Sequence, residues 1–252
     1  MNLRTYRTLQ ALILAGLGIF FLIRIGDGRI LLYINQRFVF LVLLGAIGLL
    51  AIAQVVLRSR PSVEQEDHAH EEHDNGDHAH ENRSGLALWV IALPLLVGVL
   101  LPARPLGSLA AAMRGMNTNA PLSAGASTGV QVADLPSDQR TVLDWLRLFE
   151  QTPDLTSLSG QSADVTGFIY HDIRLEGGQF MVARFSLTCC VADATAIGMV
   201  VDWPEAGKLP DNQWVRVRGP VETGQVEGKI VPRIRAQSVE LIPQPEQPYL
   251  FP

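Results

Sequence analysis

The spacing of apolar residues changes character along the chain, and the change divides it in two. Before residue 102 there are long runs almost free of charge: Leu9 to Ile23, Phe38 to Leu57 with Gln54 its one polar interruption, and Leu86 to Leu101. The second run is as long as a helix that crosses about 30 Å of hydrocarbon. We expect transmembrane helices at about 8–24, 38–57 and 86–102. The third run is shorter than the second, contains Pro94 and carries Trp89 near its start, where an interfacial aromatic would sit; a re-entrant or interfacial helix is its alternative. Arg4 and Arg7 precede the first run, but the bulky stretch Phe20 to Arg24 gives no small-residue cleavage site, so an uncleaved anchor is expected.

Beyond residue 104 the period shortens. Residues 104–135 are rich in Ala, Gly, Ser and Asn and read as a linker, opening with a helical turn from Leu106 to Met113. Val142, Leu143, Trp145, Leu146 and Phe149 recur at helical intervals, with Asp138 as the N-cap candidate and Pro153 after the end. Six short runs rich in Val, Ile, Phe or Trp follow, at 163–170, 179–187, 197–203, 213–221, 229–234 and 238–242, separated by turns such as Glu176-Gly177-Gly178. Val165-Thr-Gly167-Phe-Ile169 and Val217-Arg-Gly219-Pro-Val221 place a glycine inside a strand, the mark of a bulge or a barrel corner. The fold class expected is an α+β membrane protein: three N-terminal transmembrane helices over residues 1–103, then a small, mostly-β, OB-like barrel over 136–252. Another antiparallel barrel or a sandwich fits the strand pattern equally well.

Charge adds little about orientation. Arg4, Arg7, Arg58, Arg60 and Arg83 fall on one side of the three predicted helices, and Arg24, Arg29, Arg37, Arg104 and Arg114 on the other. The free amine tips the N-terminus toward the cytoplasm, which with three spans puts the C-terminal domain outside. From Val130 onward sixteen acids face ten bases, a balance that argues against nucleic acid as a partner.

Candidate chemistry lies in two places. The loop at 58–85 carries a tandem repeat, Asp67-His-Ala-His-Glu71 and Asp77-His-Ala-His-Glu81, with five of the six histidines: His68, His70, His73, His78 and His80. Imidazole suits zinc, copper and nickel, and interleaved carboxylates help attract a cation, so this loop is a candidate for buffering or delivering a divalent metal. A solvated linker or a pH-responsive tract are its bland alternatives. The second place is Thr188-Cys189-Cys190-Val191-Ala192-Asp193, at the end of a predicted strand. Two thiols and a carboxylate offer soft and hard donors. Adjacent side chains on an extended strand point to opposite faces, so both cysteines meet one ion only if the strand breaks there. Two cysteines packed as small hydrophobes, or a redox dithiol, are the alternatives. His171 reads as a lone surface histidine. No phosphate loop, nucleophile elbow or metalloprotease helix is present, so no enzymatic activity is expected.

The order of apolar helices and histidine-rich loop, with Leu93-Pro-Leu-Leu-Val-Gly98, Leu101-Pro-Ala-Arg-Pro-Leu-Gly107, Ala183-Arg-Phe185, Thr188-Cys-Cys-Val-Ala-Asp193, Trp214-Val-Arg-Val-Arg-Gly219 and Pro248-Tyr-Leu-Phe-Pro252, resembles the YcgQ-like family of bacterial membrane proteins, regarded as subunits of a two-component permease. The resemblance implies an inner-membrane, multi-pass accessory protein that works with a multi-spanning permease subunit, and a link to zinc or another divalent metal. It raises Cys189, Cys190 and Asp193 to metal-ligand candidates beside the loop histidines. A membrane-anchored thiol relay and a purely structural envelope module are the competing functions.

Overall fold

The computed structural model describes residues 3–58, 81–120 and 135–252. The histidine loop, including His68, His70, His73, His78 and His80, and much of the predicted linker lie outside the described residues. The described chain divides into two compact units: residues 1–31 with 36–103, and residues 32–35 with 104–252.

The first unit holds α1 (Leu3–Gly26), α2 (Val39–Arg58) and α3 (Glu81–Leu100). Two helices, Thr5–Gly26 and Gln36–Arg58, are long and apolar enough to cross a bilayer, whereas α3 contributes a shorter apolar stretch, Leu88–Leu100, among the described residues. Small residues bring the backbones close. Ala11, Ala46 and Ala53 are buried, and a Cβ on Gly18 would stand 2.9 Å from Leu50 Cγ and 3.0 Å from Ala46 O. Gly18 lies about two turns before the end of α1, and Ala46 about two turns after the start of α2, so the pair forms an antiparallel hairpin. Against α3 the matched positions climb together: Gly16 faces Leu95, and Gly98 faces the Phe20 ring. Arg24, in the last turn of α1, donates to Gly98 O at 3.2 Å. α3 therefore runs parallel to α1.

The second unit is mostly β. Its elements are α4 (Ser108–Arg114), β1 (Met116–Asn117), α5 (Val142–Gln151), β2 (Ser162–Tyr170), β3 (Gln179–Ser186), β4 (Thr195–Asp202), β5 (Trp214–Val226), β6 (Lys229–Arg235), β7 (Ser238–Leu241) and β8 (Tyr249–Leu250). Five strands pair in a closed ring, β2–β3–β4–β6–β5 and back to β2, antiparallel except for the β4–β6 join. β7 pairs with β5, and the two short strands β1 and β8 attach in parallel to β4 and β3.

Alternate residues of each strand feed two cores. Phe180, Val182, Ile197, Met199, Val215 and Val217 join Trp145, Leu146 and Phe149 of α5. Met181, Ala183, Phe185, Ala196 and Trp214 join Ala111 of α4, Met116 of β1 and Tyr249 of β8. Because both faces of β3 and β4 are covered, their sequences read as continuous apolar runs.

Two expectations are corrected in detail. α5 is capped by Thr141 and not by Asp138: the Thr141 side chain accepts from Asp144 N, while the Asp144 carboxylate accepts from Thr141 N at 2.9 Å, a reciprocal capping box. Asp138 lies in a separate 3-10 turn, Ser137–Gln139. Nor does the ladder bulge at Gly167 or Gly219; pairing between β2 and β5 continues through both, from Ser162–Pro220 to Phe168–Trp214. Glycine is needed because other backbone passes there: a Cβ on Gly167 would meet Ala183 O, and one on Gly219 would meet Arg235 O.

Candidate metal centre

β3 stops at Ser186, and the chain reverses through a 3-10 turn, Val191–Asp193, before β4 begins at Thr195. A single carboxylate organises that reversal. Asp193 Oδ1 accepts from Thr188 N at 3.0 Å, and Oδ2 accepts from Cys189 N at 2.7 Å and Cys190 N at 3.3 Å. The curl removes the strand alternation that would have parted the two thiols, and their Sγ atoms stand 3.6 Å apart. Cys189 Sγ, Cys190 Sγ and an Asp193 oxygen all lie within 4.8 Å of one another. Cys189 is exposed and Cys190 half-buried, so the pair is not a piece of core packing. A surface cavity of about 350 Å³ opens beside the turn, lined by Arg114, Asn117, Asp193 and Thr195.

Two further elements clamp this turn, and nothing in the local spacing announces either. Arg114, the last residue of α4, donates through Nη1 to Val191 O at 2.9 Å and Ala194 O at 2.7 Å. The segment Leu32–Asn35, between α1 and α2 in sequence, belongs to this unit. It runs antiparallel to the cysteines: Ile34 bridges Cys190, Asn35 N donates to Cys189 O at 2.8 Å, and Val191 N donates to Tyr33 O at 2.9 Å. The buried Asn35 side chain also donates to Thr188 O at 3.0 Å. The cysteine turn is thus held by the Arg114 side chain on one flank and by backbone hydrogen bonds to residues 33–35 on the other.

Electrostatics favour the thiol form of Cys189. The Asp193 carboxylate, and after it the Cys190 thiol, hold the proton on Cys189 and push its pKa up to about 12. Asp193 is itself held below the usual carboxylate range: partial burial would raise it, but the Cys189 thiol and the three backbone N–H groups outweigh that. A thiol relay needs a readily formed thiolate, and this environment does the opposite. Iodoacetamide labelling checks the point. At pH 8 Cys189 should react about ten- to a hundredfold more slowly than an ordinary thiol, because its thiolate is scarce although each thiolate is more nucleophilic for its raised pKa. Asp193→Asn should raise the rate at least tenfold, read by mass spectrometry of the labelled peptide; fast labelling of the wild type would contradict the assignment.

His171 does not join the cysteines. Its Nδ1 lies 2.9 Å from Asp211 Oδ1 and its Nε2 3.0 Å from Ala206 O, so the ring ties the end of β2 to the connection between β4 and β5. Asp172 next to it is buried and paired with Arg174 through two bonds of 2.7 and 2.8 Å. These are structural fastenings.

Comparison with known proteins finds two family domains, the first of which takes in α4 and β1 of the second unit. Residues 9–117 match the DUF1980 N-terminal domain, and residues 133–252 match the DUF1980 C-terminal domain. A relative from Bacillus subtilis (strain 168), "UPF0703 protein YcgQ", is 27% identical over 94 residues, which are 36% of this chain and 33% of the relative. The chain therefore spans about a third of that relative's length in the match. One from Streptococcus mutans serotype c, named "Putative two-component membrane permease complex subunit", is 24% identical over 200 residues, 64% of this chain and 72% of the relative. No solved structure matches. With both domains present in order, the chain belongs to the DUF1980 family.

Proposed function

We propose that this chain is an accessory subunit of a two-component membrane permease, and that it holds a soft divalent metal ion, zinc foremost, at Cys189 and Cys190 with Asp193. The observation that carries the metal reading is the 3.6 Å separation of the two sulfurs. Two Zn–S bonds of about 2.3 Å at a tetrahedral angle put sulfurs about 3.8 Å apart, so the pair needs little rearrangement to share one ion. Asp193 spends three acceptor positions on the turn and keeps about one for a cation. Three protein donors leave a coordination position open to solvent, which suits an ion that is passed on. The histidine loop would serve as a buffering tract. The name of the Streptococcus mutans relative supports the permease partner.

The same reading takes the ring as the OB-like barrel expected from sequence, and α3 as a third crossing. Its apolar residues 86–100 measure about 22 Å as a helix, with the polar first turn left to reach the headgroup layer, and its parallel course beside α1 is what a third pass requires.

Zinc titration calorimetry on the full-length protein in detergent tests the metal reading. One tight site is expected, lost or weakened at least a hundredfold by Cys189→Ser/Cys190→Ser and retained when residues 67–81 are deleted. Its affinity should rise roughly tenfold or more per pH unit between pH 6 and 8, since the ion displaces at least one thiol proton. If the tight site survives the double substitution, the cysteine turn is not the metal centre.

A further inference from the structure

α4 follows α3 after a short connection, and one of its faces is exposed among the described residues. Ala111 is fully buried in the second core, Ser108 N donates to Asn212 Oδ1 at 3.1 Å, and Arg114 grips the cysteine turn, so the inward face of α4 is fixed to the β unit. Leu109 and Met113, four residues apart and so on one side of the helix, are 75% and 81% exposed. Two large apolar residues side by side on an exposed helix face make a candidate contact surface.

From these observations we infer that α4 is a membrane-surface foot, with Leu109 and Met113 seated in the bilayer interface. Three facts name the lipid as occupant. Leu100 and Leu101, at the end of α3, are themselves exposed and apolar. The connection to Ser108 is too short to carry α4 more than about 25 Å from that exit, even fully extended. No acid occurs between Glu81 and Asp134, while Arg104 and Arg114 flank the helix, so the stretch carries the sign that an anionic headgroup layer attracts. A consequence follows for the metal reading: through Arg114 the cysteine turn would be held next to the membrane surface, where a permease subunit delivers or takes its ion.

The inference rests on α3 entering the bilayer, and the experiment separates the two. Nitroxide labels are placed singly at Leu109→Cys, Met113→Cys, Leu96→Cys in α3 and Lys208→Cys on the β unit, in a Cys189→Ser/Cys190→Ser background whose circular dichroism matches the wild type. The protein is reconstituted in vesicles of phosphatidylcholine and phosphatidylglycerol at three to one. Collision with oxygen relative to a water-soluble nickel chelate reports depth. Leu109 and Met113 should show an oxygen preference several-fold above Lys208, approaching that of Leu96. If they behave like Lys208 while Leu96 reads as lipid-embedded, α4 stands in water and the inference fails alone. If Leu96 also reads as aqueous, the spanning role of α3 fails and the foot with it. If Leu109 and Met113 are shielded from both reagents, protein covers them, a second copy of the chain being the candidate, and the lipid assignment is overturned.

Discussion

Gly219→Val should leave the β unit unable to close its ring, and Gly219→Ala should lower its stability by about 3 kcal/mol, at the upper end of what overpacking costs. The reason is the neighbour. A Cβ at Gly219 would run into Arg235 O and stand 2.9 Å from Arg235 C and 3.0 Å from Ala236 Cα, all backbone atoms. They have nowhere to go: Arg235 pairs with Asp202 of β4, and Gln237 N donates to Arg218 O at 2.8 Å. A domain of this kind has roughly 5–15 kcal/mol in hand, so the alanine variant should fold with a melting temperature lowered by about 10 °C or more. Gly177 is the control: a Cβ there meets nothing within 4 Å, and Gly177→Ala should stay within about 1 kcal/mol of wild type. Tryptophan fluorescence of the full-length protein in detergent reads all three variants, since Trp145 and Trp214 are buried in the unit. An unchanged melting temperature for Gly219→Ala would show that β5 and β6 are free to separate there.

Gly219 also shows how far the sequence carries. A glycine between Arg218 and Pro220 in an otherwise β-like run announces a special position, but the obstacle is supplied by Arg235, which no local pattern can reveal. The six strand segments were legible because each is bounded by turn residues and enriched in Val, Ile, Phe and Trp; those expected at 163–170 and 229–234 differ from the observed β2 and β6 by one residue at an end. Strands β3 and β4 lack alternation because α5 covers one face, and α4, β1 and β8 the other. The cap of α5 was missed for a chemical reason. Asp138 and Thr141 both suit an N-cap, and the choice fell on the reciprocal Thr141–Asp144 box, in which aspartate stands where glutamate is usual.

At the cysteine turn the residues were legible and their geometry was not. Whether adjacent thiols converge depends on where β3 ends, and that is decided by Asp193 pulling three N–H groups onto one carboxylate. The flanking strand Tyr33–Asn35 was invisible in principle. Its sequence, Leu-Leu-Tyr-Ile-Asn, reads as an apolar connection between helices, and its partners are more than 150 residues away in the chain. Contacts at that separation leave no periodic trace.

A label in the histidine loop and a label in the β unit should never react from the same side of the membrane, and this is the all-or-none consequence of the proposed topology. α1 and α2 form a hairpin, so if both cross the bilayer, the segment between them emerges on the face opposite the N-terminus, while residues after Arg58 return to the N-terminal face. Residues 32–35 belong to the β unit, so the proposed topology puts that unit on the side where they emerge. It then takes one more crossing between Arg58 and Arg104, for which the parallel alignment of α3 with α1 has the direction needed. Asn75→Cys and Lys208→Cys, each in the Cys189→Ser/Cys190→Ser background, are exposed to a membrane-impermeant maleimide on intact spheroplasts. Complete labelling of one and protection of the other is expected, with residue 208 the labelled position if the N-terminus is cytoplasmic. Labelling of both from outside would show that the chain does not cross the membrane between the two positions, which sinks the proposed topology, and the loop histidines would then share a compartment with the cysteine turn.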